Sequence, residues 1–169
     1  CALPIYFVII RVDANSERMP LTIADADIEK GTITLVVQKV GLSSTKLCNL
    51  NEGDEIHDVV GPLGNPTHIE NFGTVLCAGG GVGVAPMLPI IKALKAAGNR
   101  VLSVIAGRSK DLVIMEDEVR ASSDELIIMT DDGSYGEKGV VTVGMEKLIQ
   151  QEHIDKAFAI GPPIMMKFC

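Results

Sequence analysis

The stretch CAGGGVGVAP, residues 77–86, ends an apolar run with three consecutive glycines, adds a fourth at Gly83 and closes on Pro86. Glycines between a strand and a helix leave backbone amides uncovered at the positive end of the helix dipole, which is the chemistry of an anion site. Gly80, Gly81, Val82 and Gly83 are therefore candidates to lie under a phosphate. The competing reading is a tight strand-to-helix turn with no ligand. Pro86 suits a first helical turn, where a missing N–H leaves no bond unmade. Three further segments carry polar groups or rigid breaks. AGRSK brings Arg108 and Lys110, cations for a ribose or phosphate, or else simply solvated charge. TDDGSYG brings Asp131, Asp132 and Ser134, either lining a cleft or making an Asx turn. IGPP brings Gly161, Pro162 and Pro163, which also read as plain chain reversal.

The elements around these segments give them a common place. From residue 73 onward TVLCA, RVLSVIA, ELIIMT and KAFAI read as strands, and APMLPIIKALKAAG, IMEDEVRASS and VTVGMEKLIQQ as the helices between them. That alternation predicts a doubly wound parallel sheet covered on both faces. All four segments then fall at the carboxyl edge of one sheet, where such sheets bind ligands. Gly81-x-Gly83 is similar to the opening of the dinucleotide fingerprint, with Pro86 in place of its last small residue. Gly98 is placed to cap the first helix, and a last helix begins in IGPPIMMKFC.

Residues 1–72 have a different rhythm. IYFVIIRV at 5–12 is β-branched and aromatic, GTITLVVQKV at 31–40 alternates, and DEIHDVV at 54–60 is followed by the turn cluster GPLGNP. This predicts an antiparallel β domain ahead of the α/β domain.

Composition bounds the function classes. The chain has 169 residues, 47% of them hydrophobic, enough for one ordinary domain or two small ones. No apolar run approaches a membrane span. A net charge of -7, with Lys and Arg scattered singly, argues against a nucleic-acid partner. Cys1, Cys48, Cys77 and Cys169 stand far apart without a C-x-x-C pair, which argues against a zinc site or disulfide framework and for a reducing, cytoplasmic setting. Both ends read as cut, so a fragment of a longer polypeptide is expected. Nothing demands a general acid, base or nucleophile: His57, His68 and His153 read as surface or satisfied residues, and Met165–Met166 as helix packing.

GGGVGVAP, TDDGSYG and IGPPIMMK, preceded by RMPLTIAD and GPLG, resemble the ferredoxin-NADP reductase superfamily over almost the whole chain from Phe7. Within it the sequence looks most like the small subunits of NADH-dependent reduced ferredoxin:NADP oxidoreductases, and nearly as much like the electron-transfer subunits of dihydroorotate dehydrogenases. The resemblance implies a partial antiparallel β-barrel at 1–72 that binds FAD and an α/β domain at 73–169 that binds NAD(H) or NADP(H). Arg18 would neutralise the FAD diphosphate with its planar fork, although alone it reads as an exposed arginine near a turn. Pro20 and Leu21 would pack beside the isoalloxazine, with Thr22 hydrogen-bonding near its reactive nitrogen. Gly41, Ser43 and Ser44 of VGLSST, ahead of a short helix, would hold phosphate or make an ordinary Ser cap. Gly80, Gly81, Val82 and Gly83 would lie under the second cofactor's diphosphate, and Arg108 near its adenosine ribose. Asp131 and Asp132 would line the cleft, with Gly161, Pro162 and Pro163 flanking the nicotinamide.

The implied function is an electron-transfer flavoprotein subunit. It passes a hydride between NAD(P)H and FAD and sends electrons on to an iron-sulfur centre and a larger flavoprotein or dehydrogenase subunit, with ferredoxin among the partners considered. The alternative is a non-redox nucleotide-binding regulatory or interaction module of the same fold. Relatives carry a C-terminal cysteine cluster for a [2Fe-2S] centre, and Cys169 alone cannot supply four thiolates. The first barrel strands and a closing C-terminal strand of the superfamily are also missing, and an open barrel edge would favour pairing with another chain.

Overall fold

In the computed structural model, which describes residues 6–169, the chain divides into two compact units, one ending at Thr67 and one spanning His68–Cys169. Cys1 and the start of the strand expected at 5–12 lie outside the described residues.

In the first unit β1 (Phe7–Arg11), β2 (Met19–Asp27), β3 (Thr32–Leu35) and β4 (Asp58–Leu63) form an antiparallel sheet in the order β3-β2-β1-β4, and α1 (Leu42–Cys48) follows β3. Alternation along β1 buries Val8 and Ile10, and Leu21, Ile23, Leu35, Leu47 and Ile56 pack on them. Burial of such side chains stabilises by roughly 1.5–3 kcal/mol each.

Residues 19–27, expected only as a cofactor motif, form a nine-residue strand despite Pro20. The Ile23 N–H donates to the Tyr6 carbonyl at 2.9 Å while Ile9 pairs with Pro20, so alternation turns the Pro20 nitrogen away from β1. On that other side β3 begins to pair only at Ile23, and no ladder bond is lost. Gly61, Pro62 and Leu63, expected in a turn, instead continue β4, which shifts the strand expected at 54–60 to Asp58–Leu63. The β1–β4 register slips between Phe7 and Ile9, and a Cβ on Gly61 would lie 2.7 Å from Val8 Cγ1, so glycine lets this edge strand bulge past Val8. The strand expected across 31–40 is limited to Thr32–Leu35.

In the second unit β5 (Thr74–Gly80), β6 (Arg100–Gly107), β7 (Glu125–Thr130), β8 (Glu137–Lys138) and β9 (Lys156–Ile160) form a parallel sheet in the order β8-β7-β6-β5-β9. Its helices are α2 (Val84–Ala96), α3 (Glu116–Ser122), α4 (Val141–Gln151) and α5 (Pro163–Phe168). The doubly wound α/β arrangement is present, with the two-residue β8 as an edge strand that no sequence pattern signalled. Leu76, Ala78, Leu102 and Val104 share one core cluster with Val141, Met145 and Leu148 of α4. The intervening Val75, Cys77, Val101 and Ile105 face the other way and are buried too, and α2 packs beside α3. The strand order reverses between β5 and β9, and that reversal is the topological switch point.

The helix α2 runs through Pro89 because Met87, Leu88, Ile90 and Ile91 are fully buried around it, which offsets a proline cost of about 3 kcal/mol. Beyond its end Gly98, at φ 84°, donates its N–H to the Lys95 carbonyl as the expected C-terminal cap. Asn99, 3% exposed, fastens the segment entering β5. Its Oδ1 accepts the Phe72 and Gly73 amides at 2.7 and 3.2 Å, and its Nδ2 donates to the Glu70 and Leu94 carbonyls at 2.8 and 2.9 Å. Among the described residues no helix is long and apolar enough to cross a membrane.

Candidate functional site

The carboxyl edge of the parallel sheet gathers the four segments singled out in the sequence. β5 ends at Gly80, Gly81–Gly83 makes a 3₁₀ turn, and α2 starts at Val84 with no acidic residue in its first turn. The glycines serve different ends. A Cβ on Gly80 would collide with Met165 Sδ, and one on Gly83 with the Ile160 carbonyl oxygen, so both are small because the chain packs on itself there. Gly81 differs: its φ is 55°, and nothing lies within 4 Å of where its Cβ would stand. Val82 beside it is 48% exposed. Of the residues expected under a diphosphate, Gly81 and Val82 therefore face open space.

The segment at the end of β9 folds against this turn. Pro162 precedes α5 and Pro163 is its first residue, where its fixed φ suits the helix. A Cβ on Gly161 would lie 2.6 Å from Met165 Cε, so Met165 covers Gly80 and Gly161 together. Met165 thus packs on the sheet end and the core cluster, while Met166 is 44% exposed.

The loops after β6 and β7 are joined. The Asp131 and Asp132 amides donate to the Gly107 and Arg108 carbonyls at 3.1 and 3.2 Å, and the Lys110 amide donates to Ser134 Oγ at 2.9 Å. Asp132 makes the Asx turn foreseen as one alternative, its Oδ1 accepting the Ser134 amide at 2.9 Å. The Ser134 hydroxyl and amide hold its carboxyl below the usual range. Asp131 is exposed. Lys110 Nζ lies 5.3 Å from the Tyr135 ring centroid, whereas the exposed Arg108 has no side-chain partner among the described residues.

In the first unit, Arg18 is exposed immediately before β2. Thr22 pairs with Phe7 and Pro20 with Ile9, so these four share the face of the sheet opposite the buried Val8 and Ile10. Leu21 points the other way, into the core, so its side chain is not on the face of Pro20 and Thr22. Around α1, Gly41 is the N-cap and Ser43 and Ser44 lie inside the helix rather than ahead of it. Ser44 Oγ accepts the Val40 and Gly41 amides at 3.1 and 3.0 Å and donates to the Gly41 carbonyl at 3.1 Å, so this hydroxyl is spent on the cap.

Comparison with known proteins decides the family. No protein-family model matches the chain. It is 53% identical over 168 residues to a dihydroorotate dehydrogenase B (NAD(+)) electron transfer subunit homolog of Thermotoga maritima, covering 99% of this chain and 59% of that protein. It is 34% identical over 175 residues to the dihydroorotate dehydrogenase B (NAD(+)) electron transfer subunit of Fusobacterium nucleatum, covering 99% of this chain and 67% of that one.

The chain belongs to the family of dihydroorotate dehydrogenase B electron transfer subunits.

The solved structure of an NADH-dependent reduced ferredoxin-NADP oxidoreductase superposes on this family member with a TM-score of 0.93 at 49% identity, over 99% of this chain and 60% of that one. The fold is thus the ferredoxin-NADP reductase-like one that the motifs implied, and the likeness extends over both units. The chain spans about three fifths of the length of the Thermotoga protein and of that oxidoreductase chain.

Other groups in the chain stand apart from the strand ends. Burial pushes the Cys77 thiol up to about 12. Among the described residues no group of three or more His, Cys, Asp or Glu converges, so they offer no seat for a [2Fe-2S] centre. His68 and His153 are exposed beside Glu70 and Asp155, at 3.2 and 3.5 Å. Sequence reasoning read Met165 as helix packing without naming its partners Gly80 and Gly161, and it missed the part played by Tyr135 beside Lys110. Met165 and Tyr135 stood inside quoted motifs, but their partners are distant in sequence and no spacing rule connects them.

Proposed function

We propose that this chain is the flavin- and nucleotide-binding part of an electron transfer subunit, exchanging hydride between NAD(H) or NADP(H) and FAD and passing electrons to a larger partner subunit. The observation that carries the reading is the open, left-handed Gly81 between β5 and α2, beside the switch point of a parallel sheet. FAD and the pyridine nucleotide would supply the hydride and single-electron chemistry, and the chain's residues position them.

In this reading the backbone at Gly81 and Val82 meets the nucleotide diphosphate, and Gly80 and Gly83 shape the turn that presents it. Arg108 serves the adenosine ribose, Asp131 and Asp132 border it, and Gly161, Pro162 and Pro163 hold the strand end near the nicotinamide. On the first unit Arg18 neutralises the FAD diphosphate, Pro20 and Thr22 present the apolar-and-hydroxyl face to the flavin ring, and Leu21 supports them from the core side. Gly41 and Ser43 contribute at the start of α1, where Ser44 keeps the turn in shape. Arg18 is fit for its role by exposure and by having no ion-pair partner among the described residues.

NAD(H) is favoured as the nucleotide by the relatives' names, which specify NAD(+) for the dihydroorotate dehydrogenase B subunits. Those names also support a dehydrogenase as the larger partner, and the solved structure's name supports ferredoxin chemistry as the second possibility. Free Cys48, Cys77 and Cys169 support a reducing, cytoplasmic setting. No step is assigned through an iron-sulfur centre.

The test is spectroscopic. The purified chain, incubated with FAD and freed of unbound flavin, is expected to stay yellow and to lose its flavin absorption when NADH or NADPH is added without oxygen. Arg18→Ala should release FAD more readily than Arg18→Lys, which keeps the charge but not the fork. A colourless protein that still binds the nucleotide would replace this reading with the non-redox module.

A further inference from the structure

The two loops beside the nucleotide edge are fastened by a set of side chains that the reading above leaves without a task. Tyr135 Oη donates to Glu116 Oε1 at 3.1 Å, and Arg120 donates to the same oxygen at 2.8 Å from one turn further along α3. The Tyr135 backbone is pinned as well: its carbonyl accepts from Thr130 Oγ1 at 2.6 Å, and its amide donates to that oxygen at 3.2 Å. Thr130 is itself fully buried at the end of β7. From this anchored position the Tyr135 ring lies under Lys110 Nζ, while the neighbouring Ser134 hydroxyl accepts the Lys110 amide.

The loop so held is the one after β6. It crosses back over its own strand: a Cβ on Gly107 would lie 3.0 Å from the Leu112 carbonyl oxygen. It enters α3 through Met115 at φ 56°, a left-handed backbone at a non-glycine residue, which persists only where the surroundings fix it. Of the loop's two cations, Lys110 is drawn over Tyr135 and Arg108 is left facing solvent.

We infer that Tyr135 is a positioning residue which, through Glu116 and Lys110, sets the loop after β6 so that Arg108 alone meets the 2′ position of the adenosine ribose. The inference rests on the proposed nucleotide site and assigns the choice between a 2′-hydroxyl and a 2′-phosphate to a residue that does not touch either. Removing the phenol hydroxyl frees the loop after β7 from α3, and with it the Asp132 amide and Ser134 hydroxyl that hold the backbone of Arg108 and Lys110. Arg108 then loses its fixed approach, and a doubly charged 2′-phosphate, which depends on a guanidinium held in place, loses more than a hydroxyl does.

The experiment measures binding of 5′-ADP and 2′,5′-ADP to the whole chain by calorimetry. The wild type is expected to bind both. Tyr135→Phe should weaken 2′,5′-ADP roughly three- to tenfold, the scale of one net hydrogen bond, while leaving 5′-ADP within about twofold. Glu116→Gln, which keeps an uncharged acceptor, should lose less, and the double variant should lose no more than Tyr135→Phe alone. In an Arg108→Ala background, Tyr135→Phe should no longer change the ratio of the two affinities. An equal loss for both ligands would show that Tyr135 merely stabilises the fold, and an unchanged ratio would show that it sets nothing at the 2′ position; either overturns the inference while the nucleotide site stands. A wild type that binds neither ligand overturns the site itself and this inference with it. Should Tyr135→Phe fail to fold, the ratio for Glu116→Gln decides by the same criterion.

Discussion

Gly83 abuts the end of β9: a Cβ there would overlap the Ile160 carbonyl oxygen and lie 2.8 Å from the Gly161 Cα. The turn that opens the first crossover is therefore also the seat of the last strand. The obstructing atoms are backbone, so no rotamer change relieves the overlap. Gly83→Ala is expected to cost about 2–4 kcal/mol, a drop in thermal midpoint of roughly 5–15 °C at this chain length. Gly81→Ala meets no atom and suffers only from its positive φ, so its cost should be about 1–2 kcal/mol. Thermal unfolding followed by circular dichroism ranks the two, and equal losses would contradict the distinct roles assigned to these glycines.

A second stability prediction concerns Asn99, whose side chain takes two amides and supplies two carbonyls between Glu70 and Leu94. No other amino acid presents an acceptor and two donors at that reach from the backbone. Asn99→Leu is close in volume but leaves all four backbone groups without this partner, and the site is nearly closed to water. The expected loss is about 2–4 kcal/mol in denaturant melts, and Asn99→Asp should lose at least as much at neutral pH, because its second carboxylate oxygen faces the Glu70 and Leu94 carbonyls with no hydrogen to donate. A loss below roughly 0.5 kcal/mol for Asn99→Leu would mean that these bonds are replaced by solvent.

At low pH, the first unit should weaken through Asp13. Lys46, at 2.7 Å, together with the Ser16 hydroxyl and the Asn15 amide, lowers its pKa from 3.8 to about 2. A carboxylate with a depressed folded-state pKa contributes stability that is fully present above its unfolded value and fades as pH falls through the folded one. The thermal midpoint of the wild type should therefore exceed that of Asp13→Asn by a constant margin above about pH 5, and the margin should shrink between 3.8 and about 2. A margin that stays level through that window would remove Asp13 from the account.

Much of this architecture was legible because each signal was local. The run TVLCA followed by glycines, and the 3.6-residue pattern after it, specify a buried strand and a crossover helix without reference to the rest of the chain. What escaped notice depended on neighbours. Pro20 looks incompatible with a strand until one knows that its nitrogen faces a stretch where β3 has not yet begun. Gly61-Pro62 reads as a turn unless Val8 is known to press on it. The same limit applies to the site. The glycine cluster announced a ligand turn, but its sequence did not reveal that Gly80 and Gly83 are small to admit Met165 and Ile160, which leaves Gly81 facing outward. The motif alone puts Leu21 beside a flavin with its neighbours, whereas strand alternation sends it to the core.

Thiol chemistry offers a test of where β5 lies. Cys77 pairs with Ser103 of β6 on one side and Phe158 of β9 on the other, is fully buried, and has its thiol pushed up to about 12 by burial. Alkylation proceeds through the thiolate and needs access, so Cys77 should react only when the sheet opens. Cys169 is exposed and should react first, although partial burial raises its thiol somewhat. Cys48, half-buried with its Sγ directed to the Val37 carbonyl at 3.7 Å, should fall between them. Iodoacetamide labelling at pH 8, read by peptide mass mapping, is expected to give the order Cys169, Cys48, Cys77. Denaturant should bring Cys77 to the rate of Cys48 and Cys169. If native Cys77 were modified as fast as Cys169, β5 could not be an interior strand flanked by β6 and β9, and the turn that follows it would no longer stand at the switch point on which the nucleotide site depends.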